Sequence, residues 1–587
     1  MPENYLHLAR DVVDALGRTE NNQPLQFNEI QCRLLKQKLQ ETVTPLLSRV
    51  DKDSLPPDKQ ALFEQRCRGA ALLELYRIVK RAEAIIHGCS IPDWLMEAIK
   101  LANSFETFVD IFFKLDWCKA VVGIVFSNAL ESELQHVGDN IDGFGEAECA
   151  FKMEEIHSIL QQPASQDRDS LRRRLTEMQE DTGARSKQEI VAYLLKLLTT
   201  DPAHMEETTF HVLPSIKREH LRHLRHIGKG GFGSLAEVEW LGQKVAKKIF
   251  LGVDSKSFRV EANILAGLRH PNIVQIFGVS TDRGQSSSSI VMEMMYGDLY
   301  HAIDALNHTE QSLELPVALD IMLQMAEAMQ YLHRKKITHR DLKSLNMLIN
   351  PAQIPEIAEA GYMDVKLADF GTSKIVTATT TISPQTLDIG TRLWMAPEVC
   401  YQPEKDSTKL KYYPLKSDVY SYAITCYEIL SGRRPFEGLR LTEVLEKVTA
   451  GLRPSLPNSL PTSLSSLIEC CWDADVRRRP SFSRISTELR HLKGIYLITD
   501  CGGANQAVAT LPFRMPPEDF DTEIETDDSV RDMSTLWNTM NDLKRQVQEQ
   551  EQTLREQTEM LREKDETLRE REQTIQILLA REGRFNE

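Results

Sequence analysis

The chain of 587 residues carries 70 Lys and Arg against 86 Asp and Glu, a formal net charge of −16, with 41% hydrophobic and 27% charged residues. That is more chain than one core usually organises, so two to four domains of roughly 150 residues are expected. The acidic balance disfavours a nucleic-acid binder. The opening Met-Pro-Glu-Asn-Tyr has no cationic region followed by an apolar stretch, so no secretory signal is expected. The longest apolar run of the N-terminal half, Ala120 to Phe126, is seven residues, against the ~20 that a helix needs to span a bilayer. Ten cysteines without a C-x-x-C pair read as reduced thiols of an intracellular protein. The adjacent Cys470 and Cys471 cannot be a zinc half-site by spacing, and core packing is their expected use.

From Tyr5 to about Gln162 apolar residues recur at helical spacing, with breaks at Asn21 to Pro24, Leu55 to Pro57 and Ser90 to Pro92. Leu72, Leu73, Tyr76, Val79 and Ile86 follow the pattern of a helix with one buried face, and Asp93 and Ser104 stand as N-caps before Trp94 and Phe105. A helical bundle is expected. Ser165 to Thr200 is charged, again helical in period, and reads as a connector. At Leu221 the texture changes: short β-rich runs at Leu235 to Trp240 and Val245 to Phe250 are joined by Leu241-Gly242, which is the grammar of a hairpin. From Pro316 onward long helical patterns return. Seven carboxylates between Glu518 and Asp528 suit a solvated linker. Beyond it Met533, Met540, Val547, Leu554, Leu561, Leu568 and Ile575 recur every seven residues, as in the seam of a coiled coil. Gln550, Gln557, Lys564 and Arg571 weaken the second core position, so a heterologous heptad partner or a single helix remains the competing reading.

The chemistry is concentrated between these two regions. Ile227-Gly228-Lys229-Gly230-Gly231-Phe232-Gly233 is a G-x-G-x-x-G loop, and Ser234 and Leu235 follow it into a strand where a dinucleotide-binding fold would place a helix. Val245-Ala246-Lys247-Lys248 then offers two lysines. Strand alternation puts Lys248 on the face of Ala246, the neighbour that would sit against a purine, and turns Lys247 away. Glu261, ahead of Leu265 and Leu268 on an expected helix, could pair with Lys248; by itself it is equally a solvated helix glutamate. His339-Arg340-Asp341-Leu342-Lys343-Ser344-Leu345-Asn346, Asp369-Phe370-Gly371 and Ala396-Pro397-Glu398 come next in that order.

With these motifs the segment from 221 to 494 resembles the eukaryotic protein kinases. Gly390-Thr391-Arg392-Leu393-Trp394-Met395, Asp418-Val419-Tyr420-Ser421 and Arg479-Pro480-Ser481-Phe482 make it similar to the tyrosine-kinase-like group of serine/threonine kinases. The resemblance implies an α+β two-lobed protein kinase fold that uses ATP and Mg²⁺. It implies that Ile227 to Leu235 cover the nucleotide, that Lys248 contacts its phosphates and is held by Glu261, and that Asp369 and Asn346 bind metal ions. Asp341 would accept the proton of the substrate hydroxyl and Lys343 would steady the transferring phosphate. Leu235, Ala246 and Leu348 would enclose the adenine. Met292 would guard the back of that pocket, ahead of the interlobe hinge of Glu293, Met294 and Met295. A lysine two residues after the catalytic aspartate is the serine/threonine pattern, and Thr391 is its expected partner. Glu398 and Arg479 resemble a buried structural ion pair.

The helices ahead of this segment, including Phe112-Phe113-Lys114-Leu115-Asp116-Trp117-Cys118, are similar in arrangement to plant relatives of the mixed lineage kinase domain-like proteins. That group includes catalytically dead scaffolds and membrane-acting bundles, so a scaffold or peripheral membrane contact by the bundle stands as the alternative. The expected division is a helical bundle over 1–162, a connector over 163–214, a kinase domain over 215–497, an acidic disordered linker over 498–530 and a coiled coil over 531–583. The expected function is that of a cytoplasmic serine/threonine kinase in intracellular signalling, acting on protein substrates. The coil would serve a homodimer or a heptad partner. The hydroxyl-rich stretch Thr377 to Ser383 is the expected activating phosphorylation site, because Arg340, directly before Asp341, is a cationic group that a phosphate ordering this loop can neutralise. Asn350 to Met363 and Tyr401 to Lys416 are longer than the family pattern, which bears on surface recognition more than on catalysis.

Overall fold

Apolar residues one helical turn apart organise the first part of the chain. In α1 (Tyr5–Arg18) Leu6, Ala9, Val12, Val13 and Leu16 form one buried stripe. It packs on α2 (Glu29–Ser48) and α3 (Ala70–Gly88). α4 (Trp94–Leu101), α5 (Phe105–Leu130), α6 (Glu146–Glu180) and α7 (Arg185–Thr199) complete the helical region. The computed structural model describes residues 4–18, 24–48, 69–101, 104–130, 146–180, 185–199, 213–230, 233–251, 256–282, 287–308, 312–352, 355–375, 389–400 and 415–499. The heptad tail, the Thr377 to Ser383 stretch and the expected linker from residue 500 on lie outside the described residues; Ile498 and Thr499, expected to open that linker, end the last helix of the chain's described part, and Ile498 is buried.

Leu35, Leu39, Leu72, Leu75, Val79, Phe108 and Leu115 are completely buried where α2, α3 and α5 meet. Truncating one of these leucines to alanine costs about 2–5 kcal/mol. The Asp167 carboxylate on α6 accepts the N–H groups of Ile30 at 2.9 Å and Gln31 at 3.0 Å, closing the open first turn of α2 from another helix. The boundary expected at 162/163 falls inside α6, which runs on through Pro163.

The next layer is an antiparallel five-stranded sheet in the order β1-β2-β3-β5-β4. Its strands are β1 (Leu221–Gly230), β2 (Gly233–Trp240), β3 (Gln243–Leu251), β4 (Ile276–Asp282) and β5 (Ser287–Glu293), with α8 (Lys256–Ala266) packed on it. Leu241 and Gly242 both take positive φ, 50° and 79°, as a two-residue hairpin turn requires.

The larger lobe follows. β6 (Gly297–Asp298) leads into α9 (Leu299–His308) and α10 (Leu315–Arg334), the latter buried almost all round. β7 (Ile337–Thr338), β8 (Met347–Pro351), α11 (Pro355–Glu359), β9 (Met363–Leu367) and β10 (Lys374–Ile375) carry the segment that holds the motifs. The lengthened connection from Asn350 to Met363 is therefore partly helical, and it is packed down: Ile357 is completely buried and Tyr362 nearly so. α12 (Pro397–Cys400), α13 (Leu415–Ser431), α14 (Leu441–Thr449), α15 (Thr462–Cys471) and α16 (Phe482–Thr499) complete the lobe.

α16 packs on α10 and also meets α3, α5 and α6, so the helical bundle sits directly on the larger lobe. At the centre of that contact Lys493 Nζ donates to Glu74 Oε1 at 2.9 Å and Asp320 Oδ1 at 2.6 Å, and Arg77 bridges the same two carboxylates. The Arg77 guanidinium also lies 4.8 Å from the centre of the Tyr362 ring, which ties the lengthened connection to the bundle. Each described cysteine carries a free thiol, and Cys471 is completely buried.

Candidate active site

β3 delivers Lys248 and α8 delivers Glu261 to the same point. Lys248 Nζ lies 2.9 and 2.7 Å from the two Glu261 carboxylate oxygens and 3.0 Å from Asp369 Oδ1. Glu261 is 1% exposed, so it is no solvated helix glutamate. Burial pushes its carboxyl up to about 7, with Lys248 opposing the rise and Asp369 adding to it. Burial alone would lower the Lys248 ammonium, but Glu261 and Asp369 outweigh it and hold Lys248 above its ordinary value. Burial likewise works against ionised Asp369, and Lys248 overcomes it, so the Asp369 carboxyl lies below its ordinary value. The turn at Gly371 is close to these groups: an added Cβ would stand 2.9 Å from Ser257 Oγ and 3.5 Å from Glu261 Oε2, so the serine side chain would have to shift.

Asp341, in the loop between β7 and β8, is the second centre. Its two carboxylate oxygens each accept from Lys343 Nζ at 3.0 Å, and Asn346 Nδ2 donates to Asp341 Oδ2 at 2.9 Å and to its carbonyl at 2.6 Å. This loop needs Arg340 at φ 71°, a conformation that costs about 1–3 kcal/mol for a side chain with Cβ. Asp418, fully buried at the start of α13, holds it there: its oxygens accept the N–H groups of His339 and Arg340 at 2.9 Å each, with His333 Nε2 at 3.0 Å. Burial would raise the Asp418 carboxyl; the His333 hydrogen bond and these donors bring it below its ordinary value.

The remaining expected residues surround this pair of centres. Ile227, Gly228, Lys229 and Gly230 lie on β1, opposite Gly233, Ser234 and Leu235 of β2; Gly231 and Phe232 are outside the described residues. At Gly233 a Cβ would stand 2.0 Å from the Ile249 carbonyl oxygen, so the backbones approach too closely for any other residue. Ala246 faces Met292 across β3 and β5, Leu235 faces Lys248, and Leu348 faces Lys366. Met292, Ala246 and Met295 are buried. The Glu293 carboxylate pairs with Lys366 Nζ at 2.8 Å. Glu398 and Arg479 form a two-pronged ion pair, 2.6 and 3.0 Å, away from the cleft.

Oxygen donors suited to a hard cation stand side by side, because the Asn346 carbonyl accepts the Ala368 N–H at 2.9 Å and so brings Asn346 next to Asp369. Among the described residues no group of three or more His, Cys, Asp and Glu side chains forms a metal cluster of its own. One carboxylate and one amide fit Mg²⁺, which takes few protein ligands and completes its shell with water and phosphate oxygens. Three features of the site lay beyond sequence reasoning: the hold of Asp418 on the loop, the Glu293–Lys366 pair, and the bond from the Gln275 N–H to Glu293 Oε1 at 2.7 Å. The first stood inside a recognised motif; the others had no local signal.

Residues 221–489 match the family described as protein tyrosine and serine/threonine kinase. They form a protein kinase domain. A light-sensor protein kinase of Ceratodon purpureus is 33% identical over 83% of this chain and 38% of its own length. Serine/threonine-protein kinase STY46 of Arabidopsis thaliana is 32% identical over 47% of this chain and 45% of its own. The chain thus spans less than half the length of either relative. Beyond the kinase domain the likeness continues: the cryo-electron-microscopy structure of the AtMLKL3 tetramer superimposes with a TM-score of 0.59 over 85% of this chain and 91% of that one. At 24% identity this is a likeness of fold, and it takes in helices ahead of the kinase domain.

Proposed function

We propose that the chain is a serine/threonine protein kinase that transfers the γ-phosphate of ATP, with Mg²⁺, to hydroxyl groups of protein substrates. The observation that carries this reading is that two sets are assembled, Lys248 with Glu261 and Asp369 and Asp341 with Lys343 and Asn346, and that the Ala368 N–H bond to the Asn346 carbonyl joins them. Bound Mg-ATP supplies the phosphoryl group and much of the charge neutralisation. Lys248, fixed by Glu261, orients the phosphates, and Asn346 and Asp369 hold the metal through oxygen. Asp341 accepts the proton of the incoming hydroxyl, and Lys343, 3.0 Å from both of its oxygens, steadies the negative charge of the transferring phosphoryl group. Residues 227–235 cover the nucleotide, Leu235, Ala246, Leu348 and Met292 line the base pocket, and Glu293 and Met295 belong to the hinge. Lys343 supports serine/threonine over tyrosine.

Asp341→Asn should lower turnover by about 10²–10⁴-fold with nucleotide binding retained, because it removes a base and no phosphate ligand. Turnover at the wild-type rate in a phosphate-transfer assay sinks the assignment. The finer reading adds a cytoplasmic location, activation by phosphorylation within Thr377 to Ser383, and self-association through the heptads from Met533 to Ile575. Truncation after Val530 should then lower the mass seen by light scattering and make autophosphorylation rise steeply with protein concentration. A full-length chain that is monomeric at micromolar concentration would leave the tail as a site for another heptad protein.

A further inference from the structure

One side chain fastens the back of the hinge to the helical bundle. Gln275 stands immediately before β4, and its Nε2 donates to the carbonyl oxygens of Ile99 and Lys100, 3.2 Å each. Those carbonyls belong to the last turn of α4, where the helix supplies no N–H partners of its own. The next carbonyl, of Leu101, is taken by Asn28 Nδ2 at 2.9 Å, a contact wholly within the bundle. The Gln275 backbone faces the other way. Its N–H donates to Glu293 Oε1 at 2.7 Å, and its carbonyl accepts the Glu293 N–H at 2.9 Å. Glu293 follows Met292 at the end of β5, and its carboxylate holds Lys366 of β9, three residues ahead of Asp369.

We propose that Gln275 is a positioning residue through which the bundle sets the conformation of the hinge and so the affinity for nucleotide. The proposal rests on the nucleotide-binding reading of the cleft. The geometry is directional: a helix end with two carbonyls in need of donors meets a side-chain amide whose own backbone is paired on both sides to the hinge residue. With the amide removed, the ladder to Glu293 persists but is held from the hinge side alone, while the helix end turns to water. A hinge that spends less time in its binding-competent arrangement lowers apparent affinity in proportion to the lost population. Loss of hydrogen bonds of this kind corresponds to about three- to tenfold.

The test uses the full chain with Gln275→Ala, Gln275→Glu and Asn28→Ala. Gln275→Glu keeps the shape but sets a carboxylate against two carbonyls and near Glu293, so its effect should be the larger. Asn28→Ala removes one donor from a carbonyl at the same helix end, which keeps the Ser104 N–H and hydroxyl, without touching the hinge, and so reports a merely structural role. Both Gln275 variants should raise KM for ATP by about three- to tenfold with kcat at saturating ATP within about twofold. They should also speed amide hydrogen exchange at residues 293–296 and 94–101 together. Asn28→Ala should speed exchange in 94–101 alone and leave KM for ATP unchanged. Wild-type exchange at 293–296 in both Gln275 variants overturns the proposal, and so does Asn28→Ala reproducing their KM. If the wild-type chain binds no Mg-ATP, the function reading fails, and the exchange pattern still decides whether Gln275 couples the bundle to the hinge.

Discussion

Glu261 is a carboxylate in a place hostile to negative charge: buried, beside the carboxylate of Asp369, with Lys248 as its compensation. Its value of about 7 puts the Lys248–Glu261 pair on the edge of losing its negative member at physiological pH. Below about 7 the carboxyl takes a proton, and Lys248 is then held by Asp369 alone. The sign for stability follows from the raised value. Folding favours the protonated form, so the contribution of Glu261 to stability grows as pH falls from about 7 toward the ordinary 4.5. Asp369 runs the other way, its contribution being present above the ordinary carboxylate range and lost as pH falls through its depressed value. Activity should therefore show an acid limb near pH 7, and Glu261→Gln should be weak and flat across pH 6–8. Glu428, also raised to about 7 by burial, lies against Trp394, so a limb that persists in Glu261→Gln would assign it elsewhere.

At the scale of the element, β3 decides which lysine meets Glu261 and Asp369. Lys248 points to Glu261 and Asp369, whereas Lys247 leaves the opposite face of the strand. Lys248→Met should cost about 10²–10³ in kcat, and Lys247→Met should stay within a few-fold. The reverse ranking in a steady-state assay would mean that the other face is the working one. Strand alternation and the Leu241-Gly242 turn were legible in the sequence, because both depend on a few neighbouring residues. The place of Glu261 was not, since a helix glutamate has the same local pattern whether it meets a lysine or water. Only the packing of α8 on the sheet distinguishes the two. The Asp418 anchor was half legible: the residue stands out in its motif, but its hold on Arg340 needs a strained backbone 78 residues away in sequence.

For the whole molecule, the bundle and the larger lobe share a buried network of Glu74, Arg77, Asp320 and Lys493, with Lys493 Nζ 5.8 Å from the centre of the Trp117 ring. Burial opposes the Asp320 charge, yet Arg77 and Lys493 hold its carboxyl far below the ordinary range. Removing one member leaves an uncompensated buried charge. Lys493→Met should lower stability by about 3–5 kcal/mol in denaturant unfolding, whereas apolar replacement of all four should be far milder than the single change. An unchanged unfolding midpoint for Lys493→Met would mean that the cluster is open to water. Nothing in the sequence pairs these residues, because each reads locally as an ordinary surface charge of its helix.

The distance along the chain between Glu74 and Lys493, 419 residues, has a consequence for how the protein is made. At about 5–20 residues per second a ribosome needs roughly 20–80 s to add the second after the first. Until then Glu74, Arg77 and, once it is made, the Trp117 face lack the helix that covers them. Folding of the bundle interface is therefore completed only after α16 has emerged.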